Sequence, residues 1–226
     1  GRRVAAFGYW AGYAGAAVSL MAWAAQKSGG LCGPVSAYPD KDAMLNDLGG
    51  QLDDTGLPRP SAIVIGALGR VGTGAADLCT AMGVTPTRWD MKETAHGGPF
   101  PEILAHDIFL NCIFARPGTP VFVQQDALTA ERTLSVIGDV ACDPDSDYNP
   151  VPVYTQATTW DAPATRVHDE PPLDVMAIDN LPSLLPLESS EDYAAQLLPS
   201  LLTLDSLTTG VWARAEATFN DNMKGI

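Results

Sequence analysis

With 226 residues, 46% hydrophobic and 18% charged, the chain holds enough apolar material for one large domain or a domain with an appendage, which excludes a disordered segment. Lys and Arg number 13 against 27 Asp and Glu, a net charge of −14 that would repel a nucleic-acid backbone and excludes nucleic acid as a partner. The four cysteines, Cys32, Cys79, Cys112 and Cys142, lack C-x-x-C spacing and paired histidines, so no metal site is expected; they read as small hydrophobes in a reducing, cytoplasmic compartment.

The chain begins with Gly1 rather than Met and is read as a fragment or a processed form. Arg2 and Arg3 precede a run over residues 4–25 with no charge, long enough for a membrane span or an export segment. Its Gly- and Ala-rich composition, with Gly8, Gly12 and Ala16 at four-residue spacing, favours instead a buried helix with a smooth face for close packing against another domain. Trp10, Tyr13 and Trp23 are expected as core or interface aromatics. Residues 28–60 are rich in Gly, Pro and Asp and read as a connection carrying one helix near residues 40–48.

The chain is organised around residues 61–90. Ser61-Ala62-Ile63-Val64-Ile65 has the β-branched apolar run of a buried parallel strand. Gly66, Gly69 and Gly72 follow in a Gly-x-x-Gly-x-x-Gly turn, with Ala67 where the first glycine of the commoner G-x-G-x-x-G would fall. Residues 75–82 are good helix formers, stopped by Gly83, and a second strand ends at Trp89-Asp90. Glycines let the chain turn sharply and let a pyrophosphate approach backbone amides, while the helix start turns its positive dipole end toward the phosphates. An acid at the tip of the next strand accepts the ribose hydroxyls and repels a 2′-phosphate, so Asp90 predicts NAD rather than NADP. The bland alternative is a glycine-rich turn in an ordinary α/β protein.

Loop residues 91–100 include His96 at the expected mouth of the cofactor cleft, either a solvated histidine or a general acid/base. Residues 101–104 suggest a short helix, 107–114 a third strand, 126–132 a short helical stretch and 134–140 a fourth strand. This alternation predicts an α/β, Rossmann-type, doubly wound parallel sheet with ligand at the strand carboxyl ends, near Gly69, Asp90, Phe114 and Val140. Residues 173–179 resemble one more strand ending in an acid, and helices are expected over 191–198 and 211–223.

Several stretches together resemble a known family: Gly1-Arg2-Arg3-Val4-Ala5-Ala6-Phe7-Gly8, Ile65-Gly66-Ala67-Leu68-Gly69-Arg70, and Trp89-Asp90-Met91-Lys92-Glu93-Thr94 with Gly97-Gly98-Pro99-Phe100. Ile108-Phe109-Leu110-Asn111-Cys112-Ile113, Asp179 with Leu181-Pro182-Ser183-Leu184-Leu185-Pro186, and Val211-Trp212-Ala213-Arg214-Ala215 complete the set. They resemble the NAD-dependent, lysine-forming saccharopine dehydrogenases of fungal lysine biosynthesis, within the alanine dehydrogenase and transhydrogenase superfamily. The resemblance implies hydride transfer from saccharopine to NAD, giving an imine that water splits into lysine and 2-oxoglutarate. It further implies cofactor contacts from Arg2, Gly66, Gly69, Arg70, Gly72, Asp90, Thr94, Phe114, Val140, Ile178, Asp179 and Leu181, and a substrate contact from Phe7. Phe114 stands where the family is expected to carry Tyr, which removes one hydroxyl, and Val71 stands where some members carry Cys, so a disulfide to Cys112 is not available. The family's acid/base lysine and histidine belong to a preceding domain, so no catalytic residue is assigned here beyond a supporting Asp179. Residues 1–182 then form the NAD-binding domain with its interdomain helix, and residues 183–226 a helical segment expected to pack on the missing N-terminal domain. The alternative is a non-catalytic NAD-binding regulatory module.

Overall fold

A computed structural model describes residues 3–224. Helix α1 (Gly8–Lys27) comes first, and helix α2 (Lys41–Asp54) starts where the Asp40 carboxylate accepts the Ala43 N–H at 2.8 Å. Strand β1 (Ala62–Ile65), helix α3 (Arg70–Ala81) and strand β2 (Pro86–Trp89) form the first β-α-β unit. Helices α4 (Met91–Thr94) and α5 (Pro101–Leu104) lead into strand β3 (Ile108–Asn111), and a 3-10 turn, Gln125–Leu128, precedes strand β4 (Val136–Asp139). Strands β5 (Thr165–Asp169) and β6 (Pro172–Met176), a second 3-10 turn (Leu181–Leu184), and helices α6 (Pro186–Leu201) and α7 (Gly210–Met223) complete the chain.

One six-stranded sheet has the order β2-β1-β3-β4-β6-β5. All neighbours are parallel except β5, which pairs antiparallel with β6 at the edge. Side chains alternate between two cores, as the pleat requires. Val64, Leu110, Val136 and Met176 face α1, α2 and α3, whereas Ile63, Phe109, Ile137 and Val175 face α5 and the 3-10 turn. Burial on both faces explains why β1, β3 and β4 read as nearly continuous apolar runs. β5 escaped the sequence reading because Thr165, Arg166, Val167 and His168 are only half-buried, as befits an edge.

The first helix is buried, but its covering comes from the same fold rather than from another lobe. A Cβ on Gly12 would lie 1.8 Å from the Val71 carbonyl oxygen, and one on Gly74 would lie 1.9 Å from that of Tyr9. The backbones of α1 and α3 therefore touch, which no larger residue permits. Farther along, Ser19 fills the space above Gly138 of β4, where an added Cβ would meet its Oγ at 2.1 Å. Among the described residues no helix is long and apolar enough to cross a membrane, which sets aside the spanning reading of residues 4–25.

The last two helices differ from the rest. Ser189 is the only buried residue of α6 and α7 has none, while Leu187, Leu198, Leu202, Leu207 and Phe219 are exposed. A local bond from Trp212 Nε1–H to the Ser200 carbonyl at 2.8 Å holds the two helices together, and the Ala6 N–H, donating to Gln196 Oε1 at 3.2 Å, ties α6 to the start of the chain.

Candidate functional site

The chain leaves β1 toward β2 on one side and toward β3 on the other, so the strand order reverses between β1 and β3. Such a switch point opens a crevice at the strand carboxyl ends. A cleft of about 780 Å³ lies there, lined by the turn after β1, the start of α4 and the loop after β3.

Its floor is glycine because nothing else fits. Gly66 has φ +89° and a Cβ there would meet the Cys112 carbonyl oxygen at 2.8 Å; one on Gly72 would lie 2.1 Å from the Gly66 carbonyl oxygen. The turn is pinned to β2 by N–H groups of Gly66 and Ala67 donating to the Trp89 carbonyl, each at 3.0 Å. α3 then starts at Gly69 with no side-chain cap and no acid in its first turn, leaving its dipole end open to an anion.

Asp90, half-buried at the tip of β2, closes one wall. Its Oδ2 accepts the Leu68 N–H at 3.0 Å and its Oδ1 the Met91 N–H at 2.9 Å, while Glu93 Oε2 accepts the Asp90 N–H at 2.9 Å. This capping box fixes the carboxylate against the glycine turn. Thr94, buried in α4, donates its hydroxyl to the Asp90 carbonyl at 3.2 Å. Across the cleft Phe114 is 86% exposed, an aromatic face with no protein covering it.

The structure thus gathers Gly66, Gly69, Asp90, Thr94 and Phe114 around one cleft, with Gly72 beneath the turn. Arg70 sits at the head of α3 with its Nη2 3.4 Å from the Arg3 carbonyl oxygen. Val140 and Leu181 form a separate contact on Gly15 of α1, where an added Cβ would meet them at 2.7 and 3.1 Å. Ile178 is buried beyond β6 and joins Thr158 in an isolated bridge, while Asp179 is exposed and accepts only its neighbour's Asn180 N–H, at 2.8 Å. Phe7 stacks on Tyr193 of α6 with ring centroids 4.5 Å apart. Arg2 lies outside the described residues.

His96 is spoken for by its own loop: Nδ1 lies 3.1 Å from the Glu93 carbonyl oxygen and the ring meets Phe100 edge-on at 4.9 Å. His106 contacts Thr87 Oγ1 at 2.8 Å and His168 contacts the Pro171 carbonyl at 2.9 Å, both away from the cleft. Burial pushes the Cys79 thiol up to about 12 and drives the Cys112 thiol in the same direction. Among the described residues no three His, Cys, Asp or Glu converge as metal ligands.

No family model matches the chain. Individual relatives do. It is 48% identical over 241 residues to the saccharopine dehydrogenase [NAD(+), L-lysine-forming] of Yarrowia lipolytica, covering 100% of this chain and 65% of that protein. The proteins of the same name from Neurospora crassa and Schizosaccharomyces pombe are 46% and 42% identical, covering 99% and 97% of this chain and 63% of each relative. The chain is a homologue of the saccharopine dehydrogenases. It spans a little under two thirds of the length of these curated relatives.

The cleft also contains residues that the sequence reading did not single out. Arg116, Pro117, Gly118, Thr119 and Pro120 form a lip after β3, closed by the Thr119 N–H donating to the Arg116 carbonyl at 2.9 Å and the Arg116 N–H to Thr119 Oγ1 at 3.0 Å. The Pro-Gly pair signals the turn in the sequence, but not that it folds back over the cleft. Leu68 and Met91, 83% and 75% exposed, supply apolar edges to the same opening.

Proposed function

We propose that this chain supplies the NAD site of an L-lysine-forming saccharopine dehydrogenase, an enzyme that oxidatively deaminates saccharopine to lysine and 2-oxoglutarate. The observation that carries the reading is the fixed Asp90 carboxylate, bonded to Leu68 N–H of a turn in which Gly66 and Gly72 leave no room for a Cβ. A ribose diol fits such an acceptor and a 2′-phosphate does not. Gly66, Gly69 and the start of α3 would receive the pyrophosphate, Asp90 the ribose, and Thr94 and Phe114 the flanking surface; Arg70 would assist at the head of the helix. Bound NAD supplies hydride acceptance. Val140, Ile178, Asp179 and Leu181 would border the far end of the cofactor, with Asp179 in an electrostatic role, and Phe7 would face substrate.

The acid/base and substrate-carboxylate groups are assigned to the part of the relatives' length that this chain does not span, an N-terminal domain joined through α1. The three described histidines are tied up in loop or edge contacts, which supports that assignment. The exposed leucines of α6 and Phe219 of α7 support it as well, since residues 183–226 would find their packing surface on that domain. A cytoplasmic place in fungal lysine biosynthesis belongs to the same proposal.

Calorimetric titration with NAD and NADP tests the site, followed by an assay for NADH on adding saccharopine. NAD binding well ahead of NADP, without turnover by this chain alone, is the expected result. Equal affinity for the two nucleotides would overturn the ribose assignment, and turnover would place the acid/base groups within this chain.

A further inference from the structure

Asp139, the last residue of β4, has 1% of its surface exposed, and no cation faces it. Asn111 Nδ2–H donates to its Oδ1 at 2.9 Å, the Tyr154 hydroxyl to its Oδ2 at 2.7 Å, and the Cys142 N–H to its Oδ1 at 3.4 Å. The arrangement carries a stability cost, because the Asn111 amide is turned so that its own Oδ1 is buried with no partner. Turning that amide over would satisfy nothing, since it would set one oxygen against another. A buried acid matched only by neutral donors, with an orphaned acceptor beside it, is the kind of local conflict that a positioning role maintains.

The part held in place is the turn after β4. Val140 N–H donates to the Asn111 carbonyl at 3.1 Å, Cys142 adopts φ +49°, and its thiol donates to the Ala177 carbonyl at 3.0 Å. Asn111 itself ends β3 in register with Ile65 and is followed by Cys112, both of which line the cleft. Resting on the NAD reading above, we infer that the Asp139 carboxylate, through Asn111 and Tyr154, is a positioning group that holds the Val140–Cys142 turn in the form that receives the cofactor.

Burial raises the carboxyl of Asp139, while Tyr154, Asn111 and the Ala141 and Cys142 amides lower it. The other ionisable groups facing this network are Cys112, Cys142, Asp143 and Asp179. Burial outweighs the donors, so the carboxyl lies above its usual range and the turn loses stability as pH rises through that pKa, a loss that the donors to the anion limit. Removing the Tyr154 hydroxyl takes away one stabiliser of the anion, so the cost of that change falls on the ionised form and grows with pH.

The test compares this chain with its Tyr154→Phe and Asp139→Asn variants, measuring NAD affinity by calorimetry from pH 5 to 9 and amide-exchange protection at residues 140–142. Tyr154→Phe should bind NAD about three- to tenfold more weakly toward alkaline pH and approach the parent at acid pH, with protection of the turn falling in parallel. Asp139→Asn, where it folds, should remove the pH dependence that this carboxyl contributes. A Tyr154→Phe variant that matches the parent at all pH values, or is weakened by one constant factor, overturns the inference, because simple loss of packing has no pH profile. Lowered protection with unchanged NAD affinity overturns it too. Failure of the parent itself to bind NAD is a different result, refuting the dinucleotide reading and this inference with it.

Discussion

Replacing Asp90 by Ala removes one carboxylate that does two jobs, and the two losses separate in experiment. Toward the protein it caps α4 through Met91 N–H at 2.9 Å and restrains the glycine turn through Leu68 N–H at 3.0 Å. Loss of an N-cap of this kind costs about 1 kcal/mol of stability. Toward the ribose it offers charge-assisted acceptance to two hydroxyls at a half-buried position, which sets the loss of NAD affinity at about 1 to 3 kcal/mol, or roughly 5- to 150-fold. Asp90→Asn keeps an oxygen for only one of the Leu68 and Met91 amides and turns an NH2 donor toward the other, so it should recover part of the lost stability and bind NAD at an intermediate level. Calorimetry gives the affinities and a thermal melt gives the fold. Because the acid also repels a 2′-phosphate, the ratio of NADP to NAD affinity should rise in both variants. An Asp90→Ala protein that binds NAD as the parent does would refute the reasoning at its centre, since no other carboxylate among the described residues lines the cleft.

Gly12→Ala pushes a methyl into the Val71 carbonyl and should cost about 2 kcal/mol or more in urea unfolding, whereas Gly50→Ala, with nothing within 4 Å, should be neutral or stabilising. Gly72→Ala crowds the Gly66 carbonyl at 2.1 Å and should lower NAD affinity more than it lowers the melting midpoint, because the displaced segment is the turn proposed to receive the pyrophosphate. Arg166→Met strips the cation from Asp174, whose side chain is 1% exposed and keeps only Gln26 Nε2–H at 2.8 Å; a loss of about 3 kcal/mol in urea unfolding is expected. The thiols of Cys32 and Cys142 are raised to about 11 by burial, so disulfide-exchange labelling at pH 8 should be slow and should accelerate toward pH 11, with Cys79 and Cys112 reacting only after unfolding.

Local chemistry alone determined the heart of this protein. A β-branched run, three glycines at fixed spacing, a helix and an acid specify a β-α-β unit with a glycine turn because each step is dictated by backbone sterics within some thirty residues. Gly66, Gly69 and Asp90 therefore stand where their spacing said they would. The central parallel strands β1, β3 and β4 were equally legible, since strands buried on both faces are apolar nearly throughout. Element ends were less so: α2 runs on to Asp54 and α6 begins at Pro186, because packing of Leu52 and the proline-initiated first turn extend them past their periodic cores. Only the tertiary structure decided what covers α1. A helix apolar on all sides states that it is buried, but not by what, and the answer depended on Gly74 lying sixty-odd residues away to meet it. The lip at residues 116–120 and the Asn111–Asp139–Tyr154 network were likewise beyond reach of the sequence. Each is assembled from segments that only the register of β3 beside β4, and the return of the chain over their ends, brings within bonding distance.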